Sequence, residues 1–391
     1  MKIGIITFYN CDNYGAELQA YALQKKLSLL GYKVELLNME KENHRTSFRT
    51  MFSAIKNRFR QYGFIGGVKS TYVLIKSKAL GKKAYQANID RAKAKHQIFR
   101  DFFENYTVHS DTYYTLDELR NAKKLPYDVI IAGSDQIWNY MQTDYLDVFF
   151  MMFANNWGAK KISYAASFSV SSIPSSMKLM YQKYLNNVDK ISVREIDAVD
   201  IVKKCCGRNA ELVLDPTLLI NRQEWVDWVS NQNYYHKNKK YVVIYTLSGS
   251  LYIYNLAKSI AKSFGCADVL NIKNGYLRVR GDEGITHLYD VGPREFVALF
   301  SNASYVITDS FHGTAFSINF NIPFTTLLNP VSNMNSRALS ILKLTDLSSR
   351  IIYDDGSDSL PDTLQVDFTE ANKIITEYRI KSVRFLKESL Q

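Results

Sequence analysis

Short apolar runs alternate with stretches of helical spacing along this chain, and the alternation occurs twice, with a polar break between the two series. Lys2–Phe8 reads as an isoleucine-rich strand. Turn residues follow at Asn10–Asn13, then a helical stretch from Ala16 to Leu30 with Leu18, Ala22, Leu27 and Leu30 on one face. Gly31 stops it, and Lys33–Asn38 is the next strand. That order is the opening of a doubly wound parallel sheet. Further strands are predicted at 128–132, 161–165, 190–193 and 211–214, with a helix at 196–206. Asn231–Lys240 is polar and aperiodic, which places a domain boundary there. The second series has strands at 241–247, 268–271, 305–308 and 324–328, and helices at 251–264, 294–302 and 314–321. From Val366 the chain reads as an amphipathic helix that packs back toward the first domain. The expected fold is α/β: two Rossmann-like domains, 1–230 and 238–365, facing a cleft, with residues 366–391 returning.

A chain of 391 residues with 46% apolar side chains can build two cores. MKIGIITFYN turns polar too soon for a signal peptide, and no apolar run reaches the roughly 18 residues a membrane span needs. The expected location is the cytoplasm, with the four cysteines free, since none forms a CxxC pair. The net charge of +11 is concentrated: residues 45–100 hold 14 Lys or Arg and one acid, Asp90. This basic insertion, 45–106, is read as helical. It is either a solvated face or a patch for anionic lipid or a polyanionic substrate. Val68–Leu80, which mixes apolar residues with Lys69, Lys76 and Lys78, suits a helix lying on a membrane surface. No nucleic-acid module is present, so nucleic acid is not an expected partner.

Four stretches carry candidate chemistry. In NCDNYGAELQ, Asn13, Tyr14 and Gly15 stand where a strand gives way to a helix. Free N–H groups there suit an anion, and Gly15 permits close approach; the alternative is a helix cap by Asn13. In AGSDQIWN, Ser134, Asp135 and Gln136 follow a strand end, where open sheets bind ligands. Asp135 can take a proton from a sugar hydroxyl and Trp138 can stack on the ring; the alternative is a capping Asp and a buried Trp. In ISVREIDA, Arg194 is a fork for phosphate or carboxylate, or else the partner of Glu195 or another acid. The nearby LDPTLL reads as a strand-ending turn fixed by Pro216. In YVITDSFHGTAFSINFNIPF, His312 follows a buried strand, with Asp309 and Ser310 in reach to orient it. Its imidazole can exchange a proton near neutral pH, although a lone histidine is more often structural. Gly313 and Thr314 open the next helix. The other five histidines lack metal-ligand spacing.

Taken together, NYGAELQAYALQKKL, DVIIAGSDQIWN, SYAASF, ISVREIDA, VLDPTLL and VITDSFHGTAFSINFNIPF resemble the polysaccharide pyruvyl transferase family, in order from Asn13 to Phe324. The resemblance implies two Rossmann-like domains in the GT-B glycosyltransferase arrangement. It implies transfer of a pyruvyl group from phosphoenolpyruvate to two sugar hydroxyls as a cyclic ketal, in polysaccharide biosynthesis. His312 is then the acid/base, and Arg194, with Arg337 as a second cation, holds the donor's anionic groups. Ser310 and Phe311 shape the donor pocket. Asn13, Tyr14, Asp135 and Gln136 line the acceptor side or the cleft floor. Phosphoenolpyruvate is the donor substrate, with no cofactor and no metal. The acceptor is a galactose-type sugar, in a glycan or on a polyprenyl diphosphate at the inner membrane face, where the basic insertion would dock. Two departures stand out: Ser169 where the motif calls for glycine, and Ser310 where some relatives carry arginine. The competing readings are a glycosyltransferase of the same shape using a nucleotide sugar, and a sugar- or membrane-binding module without catalysis.

Overall fold

The computed structural model describes residues 1–39, 82–231, 239–247, 251–266, 268–273, 282–330, 332, 335–354 and 363–391. The expected surface helix at 68–80, most of the basic block and the centre of the 231–240 break lie outside them.

The first domain is a parallel sheet of β1 (Lys2–Ile6), β2 (Lys33–Leu36), β3 (Val129–Ala132) and β4 (Lys160–Ser163), in the order β2-β1-β3-β4. Two short strands, β5 (Ser192–Val193) and β6 (Glu211–Leu212), pair in parallel and continue it through bridges from Ile162 to Lys190 and from Ala166 to Val193. Every residue of β3 is buried, as expected of a parallel strand covered on both faces. The second domain holds β7 (Tyr241–Thr246), β8 (Asp268–Lys273), β9 (Thr286–Leu288), β10 (Tyr305–Thr308), β11 (Phe324–Leu328) and β12 (Ile351–Tyr353). Their order, β12-β11-β10-β7-β8-β9, is the Rossmann arrangement, all parallel. Both sheets reverse strand order beside their first strand, at β1/β3 and at β7/β10, and ligand crevices open at the carboxyl ends of such pairs. The fold is thus α/β with two Rossmann-like domains in the GT-B manner. The short strands β9 and β12 escape a periodicity reading because three residues make no recognisable alternation.

One apolar cluster belongs to both domains: Tyr14, Leu18, Phe99 and Trp225 meet Tyr245, Phe296, Phe311 and Phe316. Tyr14 stacks on Phe296 at 4.7 Å, and its hydroxyl donates to the Val291 carbonyl at 2.8 Å. A fully buried ring of this kind stabilises the contact by roughly 2–3 kcal/mol. From the basic insertion, the helix Lys82–Tyr106 contributes Phe99 and Phe102 to this junction. Arg294 of the second domain donates to Tyr106 Oη at 2.7 Å and to the Trp228 carbonyl at 2.7 Å. The C-terminal helix, Thr369–Leu390, spans both units. Ala371 and Ile375 join the shared cluster, whereas Leu386 and Leu390 pack with Ile3, Leu23 and Val213.

Candidate active site

The loop after β10 is built by hydroxyls. Thr308 Oγ1 donates to the Tyr245 carbonyl at 2.7 Å and accepts from Ser310 N at 3.0 Å. Ser310 caps the next helix, so that helix runs Phe311–Phe320 and begins three residues before the sequence places it. Gly313 is required here because a Cβ would stand 2.3 Å from Thr308 Oγ1. His312 therefore sits in the first helical turn, and its ring points at the first domain.

Two elements of the first domain receive the ring. The Tyr14–Leu29 helix presents Gly15, where a Cβ would lie 2.0 Å from His312 Nδ1. From beyond β6, Asp215 places Oδ2 3.7 Å from His312 Nε2. That nitrogen has no hydrogen-bond partner, and His312 is only 5% exposed. The imidazole lies between the domains, enclosed by both.

Arg194 is the hub of the cluster. Its Nη1 donates to Asp215 Oδ2 at 2.6 Å and to Ser134 Oγ at 3.1 Å; Nη2 donates to Asp135 Oδ1 at 3.3 Å. Its Nε is 3.5 Å from Glu195 Oε1, and the guanidinium carbon lies 4.5 Å from the Phe311 ring centroid. Asp215 is held in turn by Ser134 Oγ at 2.8 Å, Thr217 N at 3.0 Å and Thr217 Oγ1 at 2.7 Å. It caps the short helix Pro216–Leu219, so the expected turn is a helix start with proline in its first turn.

These contacts set the charges. Burial alone raises the Asp215 carboxyl, but His312, Arg194 and the Thr217 amide outweigh it and hold Asp215 well below the usual carboxylate range. Glu195 goes the other way. Burial raises it despite Arg194 and a hydrogen bond from Ser167. Arg337, on the helix Ser336–Leu344, is half-buried; burial and the like charge of Arg194 bring its pKa down to about 10, so it stays protonated at neutral pH. It stands 6.0 Å from the Phe311 centroid and its Nε has no hydrogen-bond partner. Arg194 is thus neutralised by acids, while Arg337 keeps donors for an incoming anion.

A cavity of about 280 Å³ opens at the β1/β3 crevice, lined in part by Asn13, Asp135 and Gln136. Asp135 connects it to the Arg194 cluster. Among the residues singled out in the sequence, Ser134, Asp135, Arg194, Phe311, His312 and Arg337 converge. Others are spent on packing or on holding the frame. Tyr14 is fully buried in the shared core and does not line the cleft. Gly15 admits the His312 ring rather than an anion. Ser310, Gly313 and Thr314 shape the helix start, and the Thr314 hydroxyl reaches the Ser310 carbonyl and Thr326. Asn13 also caps the first helix, accepting from Gly15 N and Ala16 N. Trp138 is fully buried and stacked on Phe150 at 4.5 Å, so it offers no face to a sugar. Asp309 turns to Thr246 and Leu247 N, and the carboxylate beside His312 is Asp215 instead. Asp215 escaped the sequence reading; its signal was an Asp-Pro pair at a strand end. Among the described residues, no group of three or more His, Cys, Asp or Glu could hold a metal ion, and no helix is long and apolar enough to cross a membrane.

Solved structures similar to this chain include the UDP-GlcNAc 2-epimerase of Methanocaldococcus jannaschii, with TM-score 0.47, 10% identity, and 98% of this chain and 92% of that one covered. The UDP-GlcNAc 2-epimerase of Neisseria meningitidis bound to UDP-GlcNAc gives TM-score 0.45, 9% identity and coverage of 97% and 100%. An E. coli heptosyltransferase with ADP gives TM-score 0.40, 11% identity and full coverage of both chains, 100% and 100%. No curated protein matches the chain. The model of one family, polysaccharide pyruvyl transferase, matches residues 13–330. That span takes in both sheets except their strands β1 and β12, and every residue of the Arg194–His312 cluster except Arg337, and the chain belongs to the polysaccharide pyruvyl transferase family.

Proposed function

We propose that the chain transfers the pyruvyl skeleton of phosphoenolpyruvate to two hydroxyls of a sugar, forming a cyclic ketal and releasing phosphate. The observation that carries this reading is the meeting of His312 with Arg194 and the unpaired Arg337 around Phe311, at the junction of two domains of a pyruvyl transferase family member. A donor with a carboxylate and a phosphate needs cations with free donors, and Arg337 has them.

In the proposed reaction His312 protonates the methylene carbon of the enol, leaving an oxocarbenium-like centre at the carbon that bears the phosphate ester. One sugar hydroxyl adds to that carbon, the C–O bond to phosphate breaks, and the second hydroxyl closes the ring. Of the two hydroxyl protons, one replaces the proton His312 gave to the new methyl group and the other leaves with phosphate. Asp135, at the strand end beside Arg194, takes a hydroxyl proton, and Asn13 and Gln136 bind the acceptor. Because His312 is enclosed, the domains separate to admit the donor and close on it, which also excludes water. No cofactor or metal has a step in this scheme.

The acceptor we favour is a galactose-type sugar in a glycan or on a polyprenyl diphosphate, with the basic segment 45–100 resting on anionic lipid. The test is incubation with phosphoenolpyruvate and galactose-, glucose- and mannosamine-type acceptors, free and lipid-linked. Phosphate release with the mass of an added pyruvyl group is expected. Release of a nucleotide from a sugar donor, with none from phosphoenolpyruvate, would overturn the reading.

A further inference from the structure

The cavity at the β1/β3 crevice has a construction of its own. One side is aromatic: Phe8 meets Phe149 edge-on at 4.9 Å, and Tyr145 lies 5.4 Å from Phe149. The other side is polar. Asp135 holds Gln136 N and Arg194 through Oδ1, and no described hydrogen bond engages its Oδ2. Gln136 accepts from Asn139 through Oε1, which leaves its amide N–H groups for a ligand. Exposed Gln142 stands at the rim. Asp135 also adopts φ +76°, a left-handed conformation uncommon outside glycine and found where function over-determines the backbone. An apolar wall facing a few convergent polar groups, at a topological switch point, is the form of a small-molecule site. At about 280 Å³ it falls below the roughly 300–1,000 Å³ of drug-sized pockets.

We propose that this cavity is a subsite for one terminal pyranose ring, not for an internal residue of a chain. The ring's C–H face lies on Phe8 and Phe149, and its hydroxyl edge faces Asp135 Oδ2 and Gln136. The subsite deepens the sugar-transferase reading above and rests on it. It assigns acceptor choice to an aromatic wall and to Gln136 and Gln142, which lie outside the Arg194–His312 cluster, with Asp135 shared by both. A cavity of about 280 Å³ has room for one ring, so the expected acceptors are end residues or single-sugar glycosides.

Saturation-transfer NMR on the full chain without phosphoenolpyruvate tests this. The probes are methyl glycosides of galactose, glucose and N-acetylmannosamine, and a disaccharide glycoside carrying the bound sugar at its non-reducing end. The expected result is saturation of ring C–H protons in at least one glycoside, and in the disaccharide on the terminal ring alone. Phe8→Ala and the exposed Gln142→Ala should each weaken that binding, by about tenfold for Phe8→Ala. No transfer to any glycoside, equal saturation of both rings, or wild-type affinity in both variants would overturn the subsite. Pyruvyl transfer is not read, so the outcomes separate. A glycoside that binds but is never pyruvylated counts against the proposed reaction and leaves the subsite standing.

Discussion

Gly15 and His312 share one space: a Cβ on the glycine would stand 2.0 Å from the imidazole Nδ1. The first helix of one domain and the first helical turn after β10 of the other can close only because that carbon is absent. Gly15→Ala should therefore hold the domains apart or displace the ring. Overpacking of this kind costs about 1–3 kcal/mol of stability. A displacement of about an ångström at the reacting centre costs on the order of a hundredfold in kcat/KM. Steady-state kinetics with phosphoenolpyruvate would detect it; a fully active Gly15→Ala enzyme would show that the contact is not needed in the reacting state.

The two arginines should behave differently. Arg194→Ala leaves Asp215 and Asp135 without their cation, and breaking such a buried pair costs about 3–5 kcal/mol. Arg337→Ala breaks no ion pair among the described residues and removes only the through-space charge that favours ionised Glu195, so it should cost about 1 kcal/mol or less of stability, while raising the KM for phosphoenolpyruvate tenfold or more. Thermal melts and KM measurements on both variants check this. A large stability loss in Arg337→Ala with unchanged KM would reverse the assignment.

Acid stability should depend on Asp215. Its folded pKa lies below its unfolded value near 3.9, so its contribution is complete above that value and is lost as pH falls toward the folded pKa. Glu195 has the opposite sign: its pKa is raised, so its ionised form costs stability that returns as pH falls. Urea melts between about pH 2 and pH 6 should show a steep acid limb below about pH 4, flattened in Asp215→Asn. Parallel profiles in the two proteins would contradict the account.

Ser169 adopts φ +59°, and its buried hydroxyl has no partner. Glycine is at ease in that conformation, and the motif calls for it there. Left-handed backbone costs a non-glycine residue roughly 1–2 kcal/mol, and glycine's extra chain entropy returns about 0.5–1. Ser169→Gly should stabilise the protein by about 1 kcal/mol, more if the unsatisfied hydroxyl adds its share. A drop in melting temperature would count against this.

Vesicle flotation checks the membrane proposal. Full-length protein should float with vesicles containing anionic lipid and stay behind with neutral ones. Neutralising Lys69, Lys76 and Lys78 should lower the bound fraction, at about 1 kcal/mol per charge near the surface. Equal flotation of both proteins on both vesicle types would end the idea.

Much of the frame was legible because its signals are local. Tyr305–Thr308 is continuously apolar, Ile196–Cys206 has helical spacing with Gly207 after it, and Pro293 opens a helix. The sequence places the helix after β10 too late because Phe311, His312 and Gly313 have no helical signature of their own; the Ser310 cap and the fit of Gly313 against Thr308 start it earlier. Trp138 looked like a sugar platform, yet from the sequence an exposed ring cannot be told from one stacked on Phe150.

The sequence by itself determined two parallel α/β domains and the residue types of the site, since strand and helix periods and strand-end positions are properties of neighbouring residues. Only the tertiary structure decided which groups meet. It put Asp215 between Arg194 and His312, left Arg337 with no ion pair among the described residues, and set Gly15 against the imidazole. Those contacts join segments far apart in the chain, and they arise from burying apolar surface shared by both domains, which no local pattern encodes.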